Sequence, residues 1–448
     1  MQQSSDLTEI SHRRVWALAA PIILANISVP LVGAVDTAVV GHVDQPAAIG
    51  AVALGALIFS FLYWSFGFLR MGTTGFIARA LGANDQRAML DTISRVILMA
   101  IVLGFVTIAL SFPLIKFALW ILESTETVEG LTSDYAGIRI WSAPAILLVY
   151  AFTGIFIGLQ DTRSVFYLQL ILNLTNMVLD AVFVIQFGWG VEGVAWASLI
   201  AEYLAMFAGV WLLRKYLWSA FKSLEWARLL ERNAIRSLLT ANGNIFIRTL
   251  CLIFAFAYFT GIGARYGETI LAANAILLHF QSIMAYGLDG FAHAVEALAG
   301  SAFGSGDRSK FKKAVWITTL WSVLLSGAVC FVYWGAGGFL LGLFTDIESV
   351  KETAIEYMPW MIISPLVSVW SFQLDGIFIG VGFARQMRNA MLVSLGCYLL
   401  ILYWTIDAWG NHGLFMALTC FMLIRALTLL FYFPQILKSI VPKSKKFV

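Results

Sequence analysis

The chain has 448 residues, of which 60% are hydrophobic and only 12% are charged, and its formal net charge is +3. Soluble globular proteins are about half apolar and about a quarter charged, so this composition excludes a soluble enzyme. The net charge is also too small to indicate a nucleic-acid-binding surface. Apolar runs of about 20 residues exclude a membrane barrel, because barrel strands are short and alternate between apolar and polar residues.

Twelve apolar runs, separated by polar or charged breaks, predict twelve transmembrane helices. Each run must be helical because lipid offers no hydrogen-bond partner to an unpaired backbone group. We therefore expect an all-α membrane protein. Its predicted spans are 14–40, 47–71, 89–112, 134–158, 164–186, 191–213, 237–263, 270–300, 313–336, 354–380, 387–407 and 412–434.

Basic residues are distributed unequally between the two predicted sides of the membrane. One side keeps only Lys116, Arg265 and Lys351, with Arg139 near the start of its helix. The positive-inside rule then places both termini in the cytoplasm. The basic residues of the predicted cytoplasmic side include Arg13, Arg79, Arg163, Lys222, Arg308, Arg385 and Lys443.

An internal repeat relates the two halves of the chain. The segment Thr153–Gly158 ends in Gly-Ile-Phe-Ile-Gly, and Asp375–Gly380 ends in the same five residues at an offset of 380 − 158 = 222. A duplication of six helices predicts two lobes of the same topology, related by a pseudo-twofold axis along the membrane normal. Nearly the same offset relates Gly82 to Gly304, Asp85 to Asp307 and Trp189 to Trp409.

The domain prediction follows from the repeat and from a basic connection that is poor in aliphatic residues. We expect an N-terminal lobe at 1–213, a cytoplasmic linker at 214–236, a C-terminal lobe at 237–434 and a basic cytoplasmic tail at 435–448. A cavity between two such lobes is where transporters place their substrate.

Asp36 is the first candidate functional residue, since it lies toward the outer half of span 1. An ionisable group inside the membrane is costly unless it is paired or hydrated, which makes it a functional candidate. Pro21 and Pro30 interrupt the same helix, and each removes a backbone hydrogen bond and favours a bend. The alternative for Asp36 is a structural hydrogen bond or a position at the outer interface.

Spans 5 and 6 contribute a second polar group to the same half. Asn173, Asn176 and Asp180 are spaced i, i+3 and i+7, so they share one helical stripe that must face protein or water. Ser198 and Glu202 share a face of span 6 by the i, i+4 rule. The alternatives are structural bonding or a helix-end position for Asp180, interhelical hydrogen bonding for the two amides and a packing role for the serine.

The C-terminal half carries its own intramembrane charges. Asp289, Glu296 and Asp375 are acidic, and Arg248 and Arg425 are possible partners. These residues form either a polar site or ion pairs that hold this half together. In the ion-pair alternative, Glu202 of span 6 is a further acid that would pair with Arg248 or Arg425. The two halves carry different residues at positions that the repeat relates: the offset of 222 matches Asp36 to Tyr258.

Several kinds of chemistry have no motif in the sequence. The chain contains no phosphate-binding loop, no zinc-ligand spacing and no nucleophile elbow. We expect no enzyme activity, no cofactor and no metal site. The energy source for any transport is then an ion gradient or the gradient of the substrate.

Three segments resemble the multidrug and toxic compound extrusion family, and more narrowly its DNA-damage-inducible protein F branch. They are the span 1 stretch from Pro30 with Val-Asp36-Thr-Ala-Val-Val-Gly-His42, the segment Arg70-Met-Gly-Thr-Thr-Gly75, and Gly287-Leu-Asp-Gly-Phe-Ala-His-Ala-Val-Glu296-Ala. The resemblance covers essentially the whole chain. It implies a pair of six-helix bundles that exports organic cations or other lipophilic toxins in exchange for protons or sodium.

The resemblance also implies roles for individual residues. An acid of the first helix with an upstream proline is a proton or cation site in this family, and these residues match Asp36 and Pro21. The family's Asn-x-x-x-Asp of the fifth helix matches Asn176 and Asp180, and its hydroxyl residue of the sixth helix matches Ser198. The acids that some sodium-coupled branches use in the seventh and eighth helices are not obvious, which favours protons.

We therefore expect a proton-coupled antiporter for amphipathic, mostly cationic drugs in a bacterial inner membrane. It is expected to span the bilayer as a monomer and to bind no nucleic acid. Three alternatives remain open: a sodium-coupled antiporter, a flippase for lipid-linked precursors and a sensor or channel. A flippase cavity would be rich in Arg and Lys because its substrate carries phosphate.

Overall fold

The computed structural model describes residues 9–41, 46–122 and 124–441. These residues form fifteen α-helices and no β-strand. The helices are α1 His12–Val40, α2 Pro46–Ser65, α3 Phe68–Ala83, α4 Gln86–Ala109, α5 Ser111–Leu122, α6 Glu126–Arg139, α7 Ala143–Gly158, α8 Thr162–Asp180, α9 Gly190–Lys222, α10 Trp226–Leu229, α11 Arg232–Gly263, α12 Glu268–Ser305, α13 Arg308–Gly342, α14 Glu348–Val381 and α15 Ala384–Ser439.

Eleven helical segments of the described residues are long and apolar enough to cross a membrane. The last of them, α15, has 56 residues and includes Gly410 at φ 53° and ψ −130°, which is not helical. A continuous helix of that length would measure about 84 Å, roughly twice the thickness of a bilayer. Gly410 therefore separates two spans, and the predicted all-α fold with twelve transmembrane helices is confirmed.

Helix boundaries differ from the predicted spans mainly at the ends. Helix α14 begins at Glu348 rather than at 354, because a charged first turn can lie outside the hydrocarbon while the backbone remains helical. The second span breaks at residues 66–67 and continues as α3. The fourth predicted span contains a 3₁₀ turn at Ile140–Ser142. Apolar runs mark the buried length of a helix rather than its full length.

The predicted linker at 214–236 is largely helical. Helix α9 continues to Lys222, and α10 and the start of α11 occupy most of the remainder. The Arg95 guanidinium donates hydrogen bonds to the carbonyls of Arg228 and Leu229, at 2.7 and 3.3 Å. These bonds attach the linker to α4.

The internal repeat is visible in the backbone. Four described residues of the first half have positive φ, and three of them have a glycine with positive φ at an offset of 222. Because this conformation is unfavourable for residues with a side chain, its recurrence at one spacing shows the same turns in both halves. The pairs are Asn84 with Gly306, Gln160 with Gly382, and Gly188 with Gly410.

Helix starts repeat in the same way. The Asp85 carboxylate accepts a hydrogen bond from the Ala88 amide at 2.9 Å, which caps α4. The Asp307 carboxylate accepts one from the Lys310 amide, also at 2.9 Å, which caps α13. Both aspartates satisfy an amide that the first turn of a helix leaves unpaired.

The repeated Gly-x-x-x-Gly motif is a helix-packing motif. A Cβ on Gly154 of α7 would lie 2.9 Å from the Thr73 Cβ of α3. A Cβ on Gly376 of α14 would lie 2.8 Å from the Val295 Cγ1 of α12. Only glycine permits these approaches, which are typical of small-residue interfaces between membrane helices.

Packing divides the chain into two compact units. The C-terminal unit contains the described residues up to Ile23, Ala78–Asn84 and those from Thr240 onward. The N-terminal unit contains Leu24–Ile77 and Asp85–Leu239. Helix α1 thus contributes residues to both units. The predicted assignment of 1–213 and 237–434 to two lobes stays a prediction.

The C-terminal unit has a continuous apolar core. Phe259 of α11 packs edge-on against Phe415 of α15, with ring centroids 5.1 Å apart. Leu277 and Phe280 of α12 belong to the same buried cluster. A smaller cluster joins the start of α1 to α12 and α13 through Val15, Leu18, Phe291, Leu298 and Ile317. These contacts fix the helices that carry the charged residues described below.

Candidate functional site

Asp36 of α1 and Asp180 of α8 lie side by side in the N-terminal unit, with their carboxyl groups within hydrogen-bonding reach. Asp180 is wholly buried. It is the last residue of α8 before the π-helical segment Ala181–Gln186. Short π-helical segments inside α-helices occur frequently at functional sites. The structure therefore brings the two predicted acids together at an irregular point of the backbone.

The predicted polar stripe of α8 is buried as its spacing implies. The Asn173 amide donates a hydrogen bond to the Ser28 hydroxyl of α1 at 2.6 Å. The Asn176 amide donates one to the Ser198 hydroxyl of α9 at 3.2 Å. These bonds connect α8 to both neighbouring helices, so the two amides supply the interhelical bonding that was one of the alternatives.

Arg139, at the end of α6, is the central cation of this site. Its guanidinium donates hydrogen bonds to the Tyr135 hydroxyl at 2.6 Å, the Ser198 hydroxyl at 2.8 Å and the Glu202 carboxylate at 3.1 Å. It also lies within electrostatic reach of Asp36 and Asp180. From the sequence alone, Arg139 lies near the start of a predicted helix and has no predicted functional role.

The predicted partners of Glu202 were wrong. Glu202 pairs with Arg139 in the N-terminal unit, not with Arg248 or Arg425. Its side chain is 5% exposed and that of Arg139 is 17% exposed, so water screens the pair only weakly. The residues are too far apart in sequence for the pairing to be seen, because it depends on how α6 packs against α9.

Several oxygen atoms of the site accept no hydrogen bond from a protein donor among the described residues. Buried oxygens of this kind can take up protons or a cation. Two adjacent carboxyl groups add repulsion if both are ionised, which favours the binding of positive charge between them. The atoms are Asp36 Oδ1, both Asp180 carboxyl oxygens, Asn176 Oδ1 and Glu202 Oε2.

The two predicted helix-bending residues lie on either side of the point where α1 changes unit. Helix α1 is continuous over Pro21 and Pro30, and the division between units falls between Ile23 and Leu24. Asp36 is on the segment that belongs to the N-terminal unit. A role of the prolines in bending stays a prediction.

A second charged cluster occupies the C-terminal unit. Asp375 of α14 accepts hydrogen bonds on Oδ2 from Arg248 of α11 and from Arg425 of α15. All three side chains are less than 10% exposed. One carboxylate thus connects three helices, which is the ion-pair alternative considered for Asp375.

Two acids of α12 belong to the surroundings of this cluster. Arg248 is within electrostatic reach of Asp289 and Glu296. Glu296 is almost fully buried, and its Oε1 lies 3.2 Å from Nδ1 of His293. The predicted C-terminal residues therefore lie together, although Asp375 is already occupied by two guanidinium groups.

One signal in the sequence could have identified Arg139. The predicted N-terminal lobe has three intramembrane acids, Asp36, Asp180 and Glu202, and buried acids require a nearby positive charge. Arg139 is the basic residue closest to an apolar run on the outer side of that lobe. Charge balance within one lobe would have favoured it over the arginines of the other.

Comparison with known proteins identifies the family. The family model described as MatE matches residues 21–182 and again residues 245–404. The chain belongs to the MatE family. The second match begins 245 − 21 = 224 residues after the first, close to the repeat offset found in the sequence. MatE proteins are drug and toxin extrusion transporters, so this chain is a multi-pass membrane transporter and not an enzyme.

Several curated relatives of this MatE protein are similar over most of their length. It is 39% identical to DNA damage-inducible protein F of Escherichia coli (strain K12), covering 94% of the chain and 91% of that protein. It is 26% identical to Protein DETOXIFICATION 44, chloroplastic, of Arabidopsis thaliana, covering 92% and 80%. It is 24% identical to Multidrug and toxin extrusion protein 1 of Homo sapiens, covering 87% and 67%.

Solved structures share the fold at lower sequence identity. A MATE crystal structure in the bent conformation matches with a TM-score of 0.86 and 18% identity, covering 95% of both chains. An outward-facing multidrug resistance MATE family transporter matches with a TM-score of 0.87 and 18% identity, covering 96% of both. These matches show the MATE fold over 95% or more of the chain.

Proposed function

We propose that this MatE protein is a proton-coupled antiporter that exports amphipathic, mostly cationic toxic compounds. Membership of the family provides the transport class. The observation that favours a proton over a sodium ion is the pair of adjacent carboxyl groups of Asp36 and Asp180.

The carboxyl pair favours a proton for a chemical reason. Two carboxylates can only accept hydrogen bonds, so neither can donate a hydrogen bond to the other. A proton shared between them makes one group a donor and removes half of the negative charge, as in other closely spaced carboxyl dyads. The two residues then titrate as a unit rather than as separate sites.

Arg139 disfavours sodium at the same place. A sodium ion is a hard cation and needs several oxygen ligands in a compact cage. The guanidinium already provides a fixed positive charge near Asp36 and Asp180 and uses the Ser198 hydroxyl as an acceptor. Its bond to Ser198 uses an oxygen that a sodium cage would need, whereas a proton needs only one carboxyl oxygen.

Helix α1 offers a path for coupling. Asp36 is on its Leu24–Val40 segment, and the residues before Leu24 belong to the other unit. Pro21 and Pro30 flank this crossing and remove two backbone hydrogen bonds from the helix. A change of charge at Asp36 would act on a helix that is weakened where it passes between units, and the two protonation states would favour different bends.

The same carboxyl pair explains a preference for cationic substrates. When the pair is ionised it attracts a lipophilic cation, and when it takes up a proton that attraction is lost. Substrate and proton would thus compete for one charged group, which is the basis of exchange. Recognition by burial and charge, rather than by a fixed hydrogen-bond pattern, permits several unrelated compounds.

The remaining hypotheses have less support. A flippase needs free guanidinium or ammonium groups for phosphate, but Arg248 and Arg425 both bind Asp375. Sodium coupling would require a cage that includes Asp36 despite Arg139. We further propose a monomer in a bacterial inner membrane, with both termini in the cytoplasm, on the basis of the basic residues on one side.

Reconstituted vesicles test the proposal. A lipophilic cation should collapse an imposed pH gradient without sodium, and Asp36→Asn should abolish this effect because the amide cannot exchange a proton. The matched control is Asp134→Asn, since Asp134 is an exposed aspartate of α6. Size-exclusion chromatography would establish that each variant is folded. Sodium-dependent exchange at fixed pH, or normal exchange by Asp36→Asn, would refute proton coupling at this site.

A further inference from the structure

The C-terminal unit contains a groove between α11 and the first half of α15. Its volume is about 550 Å³, within the range of sites that bind drug-sized ligands. Its walls include Tyr258 and Ile262 on α11 and Leu399, Leu402 and Tyr403 on α15. We call it the Tyr258 groove.

The repeat relates the Tyr258 groove to the carboxyl pair. The offset of 222 matches Asp36 to Tyr258 and Asp180 to Leu402. The C-terminal unit therefore has a cavity at the corresponding pair of positions, lined by an aromatic and an aliphatic side chain instead of two acids. This cavity offers no charge for a proton or a cation at its centre, so its ligand must have an apolar part.

Charged groups are found at one end of the groove only. Arg265 follows the end of α11, and Asp407 lies one turn beyond Tyr403 on α15. Both are exposed. Within the described ranges neither takes part in a hydrogen bond or an ion pair with the protein. The Tyr266 hydroxyl donates a hydrogen bond to the Ile406 carbonyl at 3.3 Å and joins the two walls at this end.

We propose that the Tyr258 groove binds a zwitterionic phospholipid of the surrounding bilayer. Arg265 would bind the lipid phosphate, and Asp407 would bind its ammonium group. The first part of an acyl chain would occupy the groove along α11, since Tyr258 and Arg265 are seven residues, or about 10 Å, apart along the helix. Tyrosines commonly lie at this depth of a membrane, where one end is apolar and the other is wet.

The pair of opposite charges selects among lipids. A zwitterionic headgroup satisfies both Arg265 and Asp407, whereas an anionic headgroup satisfies only the arginine and is repelled by the aspartate. A lipophilic cation without a phosphate would satisfy only the aspartate. The structure thus favours a headgroup that carries both charges, attached to an apolar chain.

Native mass spectrometry of the delipidated full-length protein tests this proposal. Phosphatidylethanolamine and phosphatidylglycerol with identical acyl chains would be added together, and the bound fractions compared. We expect a preference for phosphatidylethanolamine of about threefold, the scale of one exposed ion pair. Asp407→Asn should remove the preference, and Arg265→Gln should weaken binding of both lipids.

Two further variants separate the groove from the general lipid surface. Leu399→Trp should reduce phosphatidylethanolamine binding by filling the groove. Glu348→Gln with Lys351→Gln is the matched control, because it removes an exposed pair of opposite charges elsewhere and should change nothing. Equal binding of both lipids, unchanged binding to Leu399→Trp, or equal binding of glycerophosphoethanolamine without acyl chains would overturn the proposal. Displacement of the lipid by a lipophilic cation would assign the groove to substrate instead and would also overturn it.

Discussion

Removal of the Arg139 guanidinium should destabilise the N-terminal unit strongly. Arg139→Gln takes three hydrogen bonds from the site, including the 3.1 Å ion pair with Glu202. The Glu202 side chain is 5% exposed, so its charge would be left in a site that water barely reaches. Breaking a buried ion pair on one side typically costs about 3 to 5 kcal/mol.

A double-mutant cycle isolates the ion pair from the other contacts. Glu202→Gln alone leaves the guanidinium with neutral partners, whereas the double variant removes both charges and leaves none unmatched. The double variant should therefore be less destabilised than the sum of the two single variants, by about 1 to 3 kcal/mol. SDS titration monitored by tryptophan fluorescence would measure the free energies of unfolding.

The chain provides a matched control cycle. Arg87 and Glu225 form an ion pair of the same type, but both side chains are 53% exposed. The coupling between Arg87→Gln and Glu225→Gln should be below about 1 kcal/mol because water and salt screen the pair. If the Arg139 and Glu202 variants were additive within about 0.5 kcal/mol, the central position of Arg139 in the site would be refuted.

Four further substitutions, one of them a control, can be measured by the same titration. Gly376→Ala should cost about 1 to 3 kcal/mol, because its Cβ would lie 2.8 Å from the Val295 Cγ1 and against the α12 backbone. Gly327→Ala, whose Cβ would meet nothing within 4 Å, should be neutral or slightly stabilising, and equal effects would contradict the packing argument. Asp375→Asn should cost at least about 3 kcal/mol, because two buried guanidinium groups lose their carboxylate, and a neutral result would contradict that pairing. Asp307→Ala should cost about 1 kcal/mol through loss of a helix cap, and an unchanged free energy of unfolding would contradict this capping role.

Most of the architecture could be predicted from the sequence because the bilayer restricts what an apolar run can do. The twelve runs had to be helices, and one repeat offset was enough to indicate two similar halves. The ends of helices were harder to locate, since a helix such as α14 begins at a charged residue outside the apolar run. The apolar helix α5 was missed for a related reason: its 12 residues are too few to span a membrane.

The candidate site was only partly predictable. Residues on one helix, such as Asn173, Asn176 and Asp180, share a face because of the helical period, and the structure buries all three. The spacing of residues along one helix does not show which residues of other helices they contact. Glu202 needed a cation, and only charge balance within one lobe favoured Arg139 over the arginines of the C-terminal half, because residue spacing does not show which helices are neighbours.

The repeat makes the difference between the two charged clusters informative. Turns, caps and glycine contacts recur at an offset of 222, so the two halves share a backbone plan. The charges do not recur. At that offset the acids and cation of the N-terminal site correspond to uncharged residues: Asp36 to Tyr258, Arg139 to Met361, Asp180 to Leu402 and Glu202 to Ile424.

The reverse comparison gives the same result. Arg248, Asp375 and Arg425 correspond to Asn26, Thr153 and Tyr203, none of which is charged. Each cluster therefore pairs acids with cations of the same half and has no duplicate in the other. In the C-terminal cluster the Asp375 carboxylate is already bound by two permanent cations, whereas the Asp36 and Asp180 pair has carboxyl oxygens that accept no bond from a described donor. Because two permanent cations already bind the Asp375 carboxylate, the proposed proton exchange is expected to use the Asp36 and Asp180 pair rather than Asp375.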